Sequence, residues 1–331
     1  MASIEQTIPV VLMGLGEIGQ AIARAALARP GEIEVVGAVD PEHAGRPLAE
    51  LVPGAPPELL ISDDAADALA RAAGGVLLHA TGSRFEEILR ELEAAVRAGV
   101  HVVSTCEELA YPGLDHEVEA AALDALCEEH GVAVVGTGVN PGFVLDRLPA
   151  LLAQTTGEVR HVRGVRVVDA GRRRGALQRK IGAGLSLEAF EDAAERGDVG
   201  HVGLAHSAAL VAESCLGLSE YEVDEELEPL VADEDALDGP VPVHRGEVAG
   251  LHQVARVFAD DREVVRLELT LAIGADDPRD ELSLDADPPV RLVIPGGIEG
   301  DAATAHLVLN AVSAVLERTG LLTVLDLPAG R

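Results

Sequence analysis

Directly behind an apolar run, Ile8–Met13, the chain reads Gly14-Leu15-Gly16-Glu17-Ile18-Gly19 and enters a helical pattern over Ile18–Leu27. Each glycine of that spacing has a separate job. The first permits a tight turn, the second lets a ligand approach the backbone, and the third lets helix and strand pack closely. The helix N-terminus then offers free N–H groups and a partial positive charge, which suit a pyrophosphate. A second apolar run, Ile33–Val39, ends in Asp40, 21 residues past Gly19. A carboxylate there accepts hydrogen bonds from an adenosine ribose. Gly14, Leu15, Gly16, Glu17, Ile18, Gly19 and Asp40 are therefore candidate dinucleotide-binding residues. Asp40 favours NAD over NADP because it repels a 2′-phosphate. His43 and Arg46 lie just downstream and soften that preference, which leaves dual use open.

The pattern continues in βα units. Further apolar runs at Gly75–Ala80, His101–Ser104 and Val132–Val135 read as buried parallel strands, with helical patterns at Phe85–Ala98 and His116–Glu129 between them. Such repeats imply a doubly wound parallel sheet with helices on both faces. After Val139 the texture changes. Helices are expected around Phe143–Ala153, Leu187–Glu195 and Ala205–Leu216. Val265, Leu267, Leu269, Leu271 and Ile273 then alternate with Arg266, Glu268 and Thr270, the period of an antiparallel sheet with one wet face. The acidic stretch Glu220–Asp238 reads as a solvated connection. A last helix, Ala302–Glu317, is expected behind Asp301 as N-cap. A chain of 331 residues exceeds one ordinary core. The expected division is a dinucleotide-binding domain over 1–139, a second domain over 140–299, and a return to the first domain over 300–331.

Composition narrows the partners. A net charge of −32 disfavours nucleic acid and anionic membranes. No apolar run is long enough for a membrane span, and the first residues lack a secretory pattern. Three scattered cysteines make neither a disulfide framework nor a zinc spacing. A cytoplasmic protein is the expectation. His201 and His206 do not fit a metal-binding helix spacing, so no metal is expected.

Ligands of parallel sheets bind beyond the carboxyl ends of the strands. Thr81, Gly82 and Ser83 follow one such end, and there they either contact the cofactor or cap the next helix. Ser104-Thr105-Cys106-Glu107-Glu108 follows another end. Asn140 and Pro141 follow the last parallel strand and are placed to hold the nicotinamide at the hinge. Phe143, in a chain only 2% aromatic, and the Gly-flanked His201 are candidates for the substrate pocket. The segment Arg160–Lys180 is basic in an acidic protein. It reads as a substrate carboxylate clamp, a phosphate contact, a dimer interface or solvated loop charge.

Val103-Ser104-Thr105-Cys106-Glu107-Glu108-Leu109-Ala110-Tyr111-Pro112 and Gly136-Thr137-Gly138-Val139-Asn140-Pro141-Gly142-Phe143 resemble the 2,4-diaminopentanoate dehydrogenase family. That family includes the native amine dehydrogenases and is related to dihydrodipicolinate reductase. Leu177–Gly182, Gly200–Leu204, Ile294–Gly297, Gly300-Asp301 and Ala303-Thr304-Ala305 extend the likeness in family order over most of the chain. The resemblance implies a Rossmann domain, an α/β substrate and dimerisation domain, a C-terminal helix returning to the first domain, and a homodimer. It implies reversible oxidative deamination of a small amine with NAD(P), the reverse direction taking a ketone or aldehyde and ammonia. The family's acid/base glutamate falls on the Glu107–Glu108 pair, with Glu108 the preferred of the two, and Thr304 falls at the substrate pocket. Alternatives are 2,4-diaminopentanoate dehydrogenase proper, an ammonia-independent imine or carbonyl reductase, and a dinucleotide sensor without turnover. The loose basic run Arg172-Arg173-Arg174 is only a weak echo of the reductase motif.

Overall fold

The structure, a computed structural model, describes residues 7–330. In chain order it begins with β1 (Ile8–Met13), α1 (Glu17–Leu27), β2 (Ile33–Val39), α2 (Ala65–Arg71), β3 (Val76–His79), α3 (Phe85–Arg97), β4 (His101–Ser104), α4 (Glu117–His130) and β5 (Ala133–Gly136). There follow α5 (Arg147–Ala153), β6 (His161–Asp169), α6 (Gly175–Lys180), α7 (Leu187–Glu195), α8 (Leu204–Leu216) and the strands β7 (Glu222–Val231), β8 (Val248–Ala259), β9 (Arg262–Ala272), β10 (Arg279–Asp285) and β11 (Val290–Pro295). Helix α9 (Gly300–Val315) and strand β12 (Gly320–Leu322) complete the chain. Two compact units result: Met1–Phe143 with Glu299–Arg331, and Val144–Ile298.

The first unit holds a parallel six-stranded sheet in the order β12-β5-β4-β3-β1-β2. Its short strands are mostly apolar because both faces are covered; Val76, Leu77, Val102, Val103, Val134 and Val135 are fully buried. Helix α3 shows how the sequence makes its helices. Phe85, Ile88, Leu92, Ala95 and Val96 recur on one buried face, Glu86 and Glu87 occupy the positive end, and Arg97 the negative end. Two elements of this unit escape sequence reading. Helix α2 is too short for a clear helical period. Strand β12 is three residues long and gains its identity only by pairing with β5.

Helix α9 packs against α1; α1 buries the small residues Gly19, Ala23 and Ala26, and α9 buries Ala305 and Ala311. Its cap is not Asp301. The Glu299 carboxylate accepts from the N–H groups of Asp301 and Ala302, so the helix starts two residues before the expected position. His101 anchors its other end. The Nδ1 atom accepts from the Ala133 N–H at 3.0 Å, and the ring also bonds the Val315 carbonyl. Burial holds the His101 imidazolium pKa below its ordinary value, outweighing the Val315 bond, which raises it. The native state therefore takes up this proton less readily than the unfolded chain. The contribution is fully present above the unfolded value of 6.5 and is lost as pH falls through that value toward the lower native one. Between pH 7 and pH 5 the protein is expected to lose more thermal stability than its His101→Asn variant; parallel pH dependences of the two melting curves would contradict this.

The second unit contains a sheet in the order β11-β10-β6-β9-β8-β7. It is mixed rather than antiparallel, since β9 runs parallel to β6 and antiparallel to β8. Val265, Leu267, Leu269 and Leu271 face the interior as their period predicts. The supposed acidic connection is not one, because Glu222–Val231 forms the edge strand β7. Its acids pair across the ladder, with Asp224 and Glu226 both on Arg256. Charge alone suggests a solvated loop; partners on β8 convert it to strand. The predicted helix at Phe143 begins only at Arg147, capped by Asp146.

Candidate active site

The glycine turn behaves as its spacing requires. Gly14 lies at φ +83°, and a Cβ there would come within 2.5 Å of the Ala80 carbonyl oxygen. A Cβ on Gly19 would meet the Gly14 carbonyl oxygen at 1.8 Å, so helix and turn touch directly. Gly16 is the opposite case, with open space around it. It sits at the N-cap of α1, where no side chain caps the helix, and Glu17 and Ile18 begin the first turn. A buried close approach at Gly14 and Gly19 with an open cradle at Gly16 fits a pyrophosphate over the helix N-terminus.

Asp40 has a structural duty as well. One carboxylate oxygen accepts from the Leu15 N–H at 2.6 Å and the other from the Glu42 N–H at 2.9 Å. This ties the end of β2 to the glycine turn. A carboxylate has about four acceptor positions, so capacity remains for ribose hydroxyls. Arg46 is paired with Glu50 at 3.0 Å.

The carboxyl ends of β3 and β4 form the second half of the site. The Glu108 side chain is 9% exposed. Its Oε2 accepts from the Phe85 N–H at 2.6 Å, at the first residue of α3. Arg84 and His116 each place a nitrogen 3.6 Å from this carboxylate. The Glu108 N–H donates to the Ser83 carbonyl. Glu108 thus caps α3. Glu107, its neighbour, is half-buried on a short 3-10 turn. Burial, with the negative field of the two glutamates, pushes the Cys106 thiol up to about 12, which makes it a poor nucleophile.

Thr81 is exposed, and its hydroxyl is engaged within the protein. It donates to Glu91 Oε2 at 2.5 Å and lies 2.8 Å from His79 Nε2. Gly82 adjoins Ile88 of α3. After β5, the turn Gly138–Gly142 folds back on itself. Gly142 lies at φ +121°, and a Cβ there would overlap the Gly138 nitrogen. Asn140 is half-buried and Pro141 buried on this turn. Thr304 of α9 accepts from the Val139 N–H at 3.2 Å, so its hydroxyl steadies the turn. Phe143 is half-buried at the end of the first unit.

In the second unit, His201 is half-buried and its backbone is clamped by Gln253, whose amide bonds both its N–H and its carbonyl. Gln178 holds the arginine loop in the same way, donating to Ala170, Gly171 and Arg173 carbonyls and accepting from Val241. These buried amides carry no motif signature, and sequence reasoning missed them. Much of the basic segment proves to be sheet pairing: Arg160 with Asp285, Arg163 with Glu268 and Arg166 with Asp280. Among the described residues no group of three or more His, Cys, Asp or Glu side chains is arranged to hold a metal ion, and no helix is long and apolar enough to cross a membrane.

The family model for the 2,4-diaminopentanoate dehydrogenase C-terminal domain matches residues 143–331, more than half of the chain. The chain belongs to the 2,4-diaminopentanoate dehydrogenase family. It is 27% identical to the 2,4-diaminopentanoate dehydrogenase of Acetoanaerobium sticklandii, over 98% of this chain and 95% of that one. Its fold is similar to that of the amine dehydrogenase from Mycobacterium smegmatis, with a TM-score of 0.85 at 24% identity, covering 99% of this chain and 98% of the other. A more distant likeness is to scyllo-inositol dehydrogenase from Lactobacillus casei, solved with NAD(H) and scyllo-inositol. The TM-score there is 0.56 at 16% identity, over 94% of this chain and 88% of the other. The Rossmann-type fold is thereby shared with dehydrogenases of several kinds.

Proposed function

We propose that this protein is an NAD(P)-dependent amine dehydrogenase that catalyses reversible oxidative deamination of a small amine, prefers NAD, and works as a homodimer. The observation that carries the reading is a glutamate pair on a pinned turn at the carboxyl end of β4. It shares the carboxyl edge of the sheet with the open glycine cradle.

Residues Gly14–Gly19 and the α1 N-terminus would hold the pyrophosphate, Asp40 the adenosine ribose, and the backbone of Gly82, Ser83, Asn140 and Pro141 the nicotinamide end. The bound cofactor supplies the hydride chemistry. The chain's own task is proton handling. In the aminating direction, ammonia adds to a carbonyl to give a carbinolamine, which loses water to form an iminium. A carboxylate takes a proton from the attacking nitrogen, returns one to the departing hydroxyl, and stabilises the cationic carbon–nitrogen bond.

We assign that work to Glu107 and a positioning role to Glu108. The Glu108 Oε2 is already occupied at 2.6 Å by the α3 N-terminus, and proton exchange there would undo a helix cap. Glu107 is half-buried, less deeply than Glu108. The preference for NAD rests on Asp40, together with the engagement of Arg46 by Glu50.

The test is cofactor oxidation with ammonia and a panel of small ketones, aldehydes and 2-amino-4-oxopentanoate. Ammonia-dependent oxidation of NADH, faster than that of NADPH, is expected. Turnover without ammonia would point instead to an imine or carbonyl reductase, and no turnover with any substrate defeats the proposal.

A further inference from the structure

His79 ends β3 with its side chain wholly buried, yet both ring nitrogens are engaged. Nδ1 lies 2.8 Å from Ser104 Oγ, at the end of β4. Nε2 lies 2.7 Å from Glu91 Oε2 on α3 and 2.8 Å from Thr81 Oγ1. Ser104 Oγ in turn accepts from the Cys106 N–H at 3.0 Å. Nε2–H is shared between Glu91 and Thr81, the Thr81 hydroxyl donates to Glu91, and Nδ1 is bonded to the Ser104 hydroxyl. Burial by itself would raise the Glu91 carboxyl. The bonds from His79 and Thr81, with the His79 field, outweigh it and hold the group below its ordinary value.

A buried imidazole costs free energy unless its nitrogens are satisfied, and an apolar residue would fill this strand end as well. What the histidine adds is a connection among three segments. Its backbone carbonyl accepts from the Thr105 N–H, and its ring acts through Ser104 on the Cys106 N–H. On the far side of Glu107, the Glu108 N–H is held by Ser83 and its carboxylate by Phe85. The residue between is therefore tethered from both flanks. Both tethers lead back to α3, one through Glu91 and the other through its N-terminus.

We propose that His79, with Ser104 and Glu91, is a positioning group for the Glu107 acid/base. It fixes the Thr105–Cys106 peptide, one residue before Glu107, so that the carboxylate is presented in one orientation. The inference rests on the acid/base reading given above. A network of satisfied buried polar groups gives a turn one geometry where apolar packing would allow several, and proton transfer demands close placement.

The experiment compares Ser104→Ala, Glu91→Ala and Glu91→Gln with the unaltered full chain. Hydrogen exchange of the apo protein is read at residues 104–108, alongside kcat, KM for the carbonyl substrate and NADH affinity. Ser104→Ala and Glu91→Ala are expected to speed exchange at the Cys106 amide by about tenfold, the loss of one hydrogen bond. They should lower kcat by about tenfold or more with KM and NADH affinity nearly unchanged. Glu91→Gln keeps an acceptor for His79 and Thr81 and should restore most of both. Turnover that needs Glu107 but is indifferent to Ser104 and Glu91, with unchanged exchange, overturns the inference and leaves the activity standing. So does a loss in kcat matched by faster exchange across the whole first unit, which would mark general destabilisation. An unaltered protein without ammonia-dependent turnover sinks the activity itself, a result plain before any variant is made. The exchange arm still decides whether the network holds the turn.

Discussion

Glu107→Gln is expected to lower kcat by about 10²–10⁴-fold, the usual contribution of a positioned general acid/base. The amide keeps the size of the side chain and removes only its capacity to carry a proton. NADH affinity should stay within about twofold, because the residues proposed to hold the pyrophosphate and ribose lie at β1, α1 and β2 rather than at β4. Melting temperature should also hold. Glu108→Gln should do the reverse. The Phe85 N–H exchanges a charged acceptor for a neutral amide oxygen, and the nearby Arg84 and His116 lose their countercharge, so stability falls by about 1 kcal/mol. Activity then declines only as far as the turn loosens. Steady-state kinetics and thermal melts of the two variants settle the assignment. Full activity in Glu107→Gln with complete loss in Glu108→Gln would exchange the roles.

The second large effect is on stability. Asp280 and Arg166 form an ion pair in the second unit whose side chains are 2% and 5% exposed. Asp280 bonds Arg166 Nη1 at 2.6 Å and accepts from the Ile298 N–H at 2.7 Å, while Arg166 Nη2 donates to the Ile298 carbonyl. The pair thus closes around the turn Pro295-Gly296-Gly297-Ile298. Gly296 and Gly297 adopt left-handed φ of +79° and +68°, and a Cβ on Gly297 would sit 3.4 Å from the Asp280 carboxylate. Replacing Asp280 by Ala removes the buried countercharge of the Arg166 guanidinium, and such losses cost about 3–5 kcal/mol. Chemical denaturation should register that as a large fall in the midpoint of the second unit's transition. Asp285→Ala removes the partner of exposed Arg160 and should leave the midpoint unchanged. Equal effects from the two variants would show that burial of the Asp280 pair contributes nothing.

These predictions differ in how far the sequence alone could have reached them. The glycine turn, Asp40 and the glutamate pair were legible because each is a local pattern. A strand end followed by a glycine spacing, or a carboxylate just beyond a strand, carries its meaning within a few residues. The likeness of Val103–Pro112 and Gly136–Phe143 to one family added the chemistry. The basic segment misled in part. Three of its arginines gain their meaning from acids on β9 and β10, about a hundred residues away, which no local pattern reports.

The amino-acid order by itself determined the parallel sheet, the helices between its strands and the phosphate cradle, since periodicity and glycine sterics act over a few residues. Only the tertiary structure decided which glutamate caps α3, that Glu222–Val231 is a strand, and that His79 joins three segments. The physical reason is that hydrogen bonds and ion pairs between distant segments depend on which strands become neighbours. That adjacency is fixed by the packing of the whole unit, not by the residues on either side.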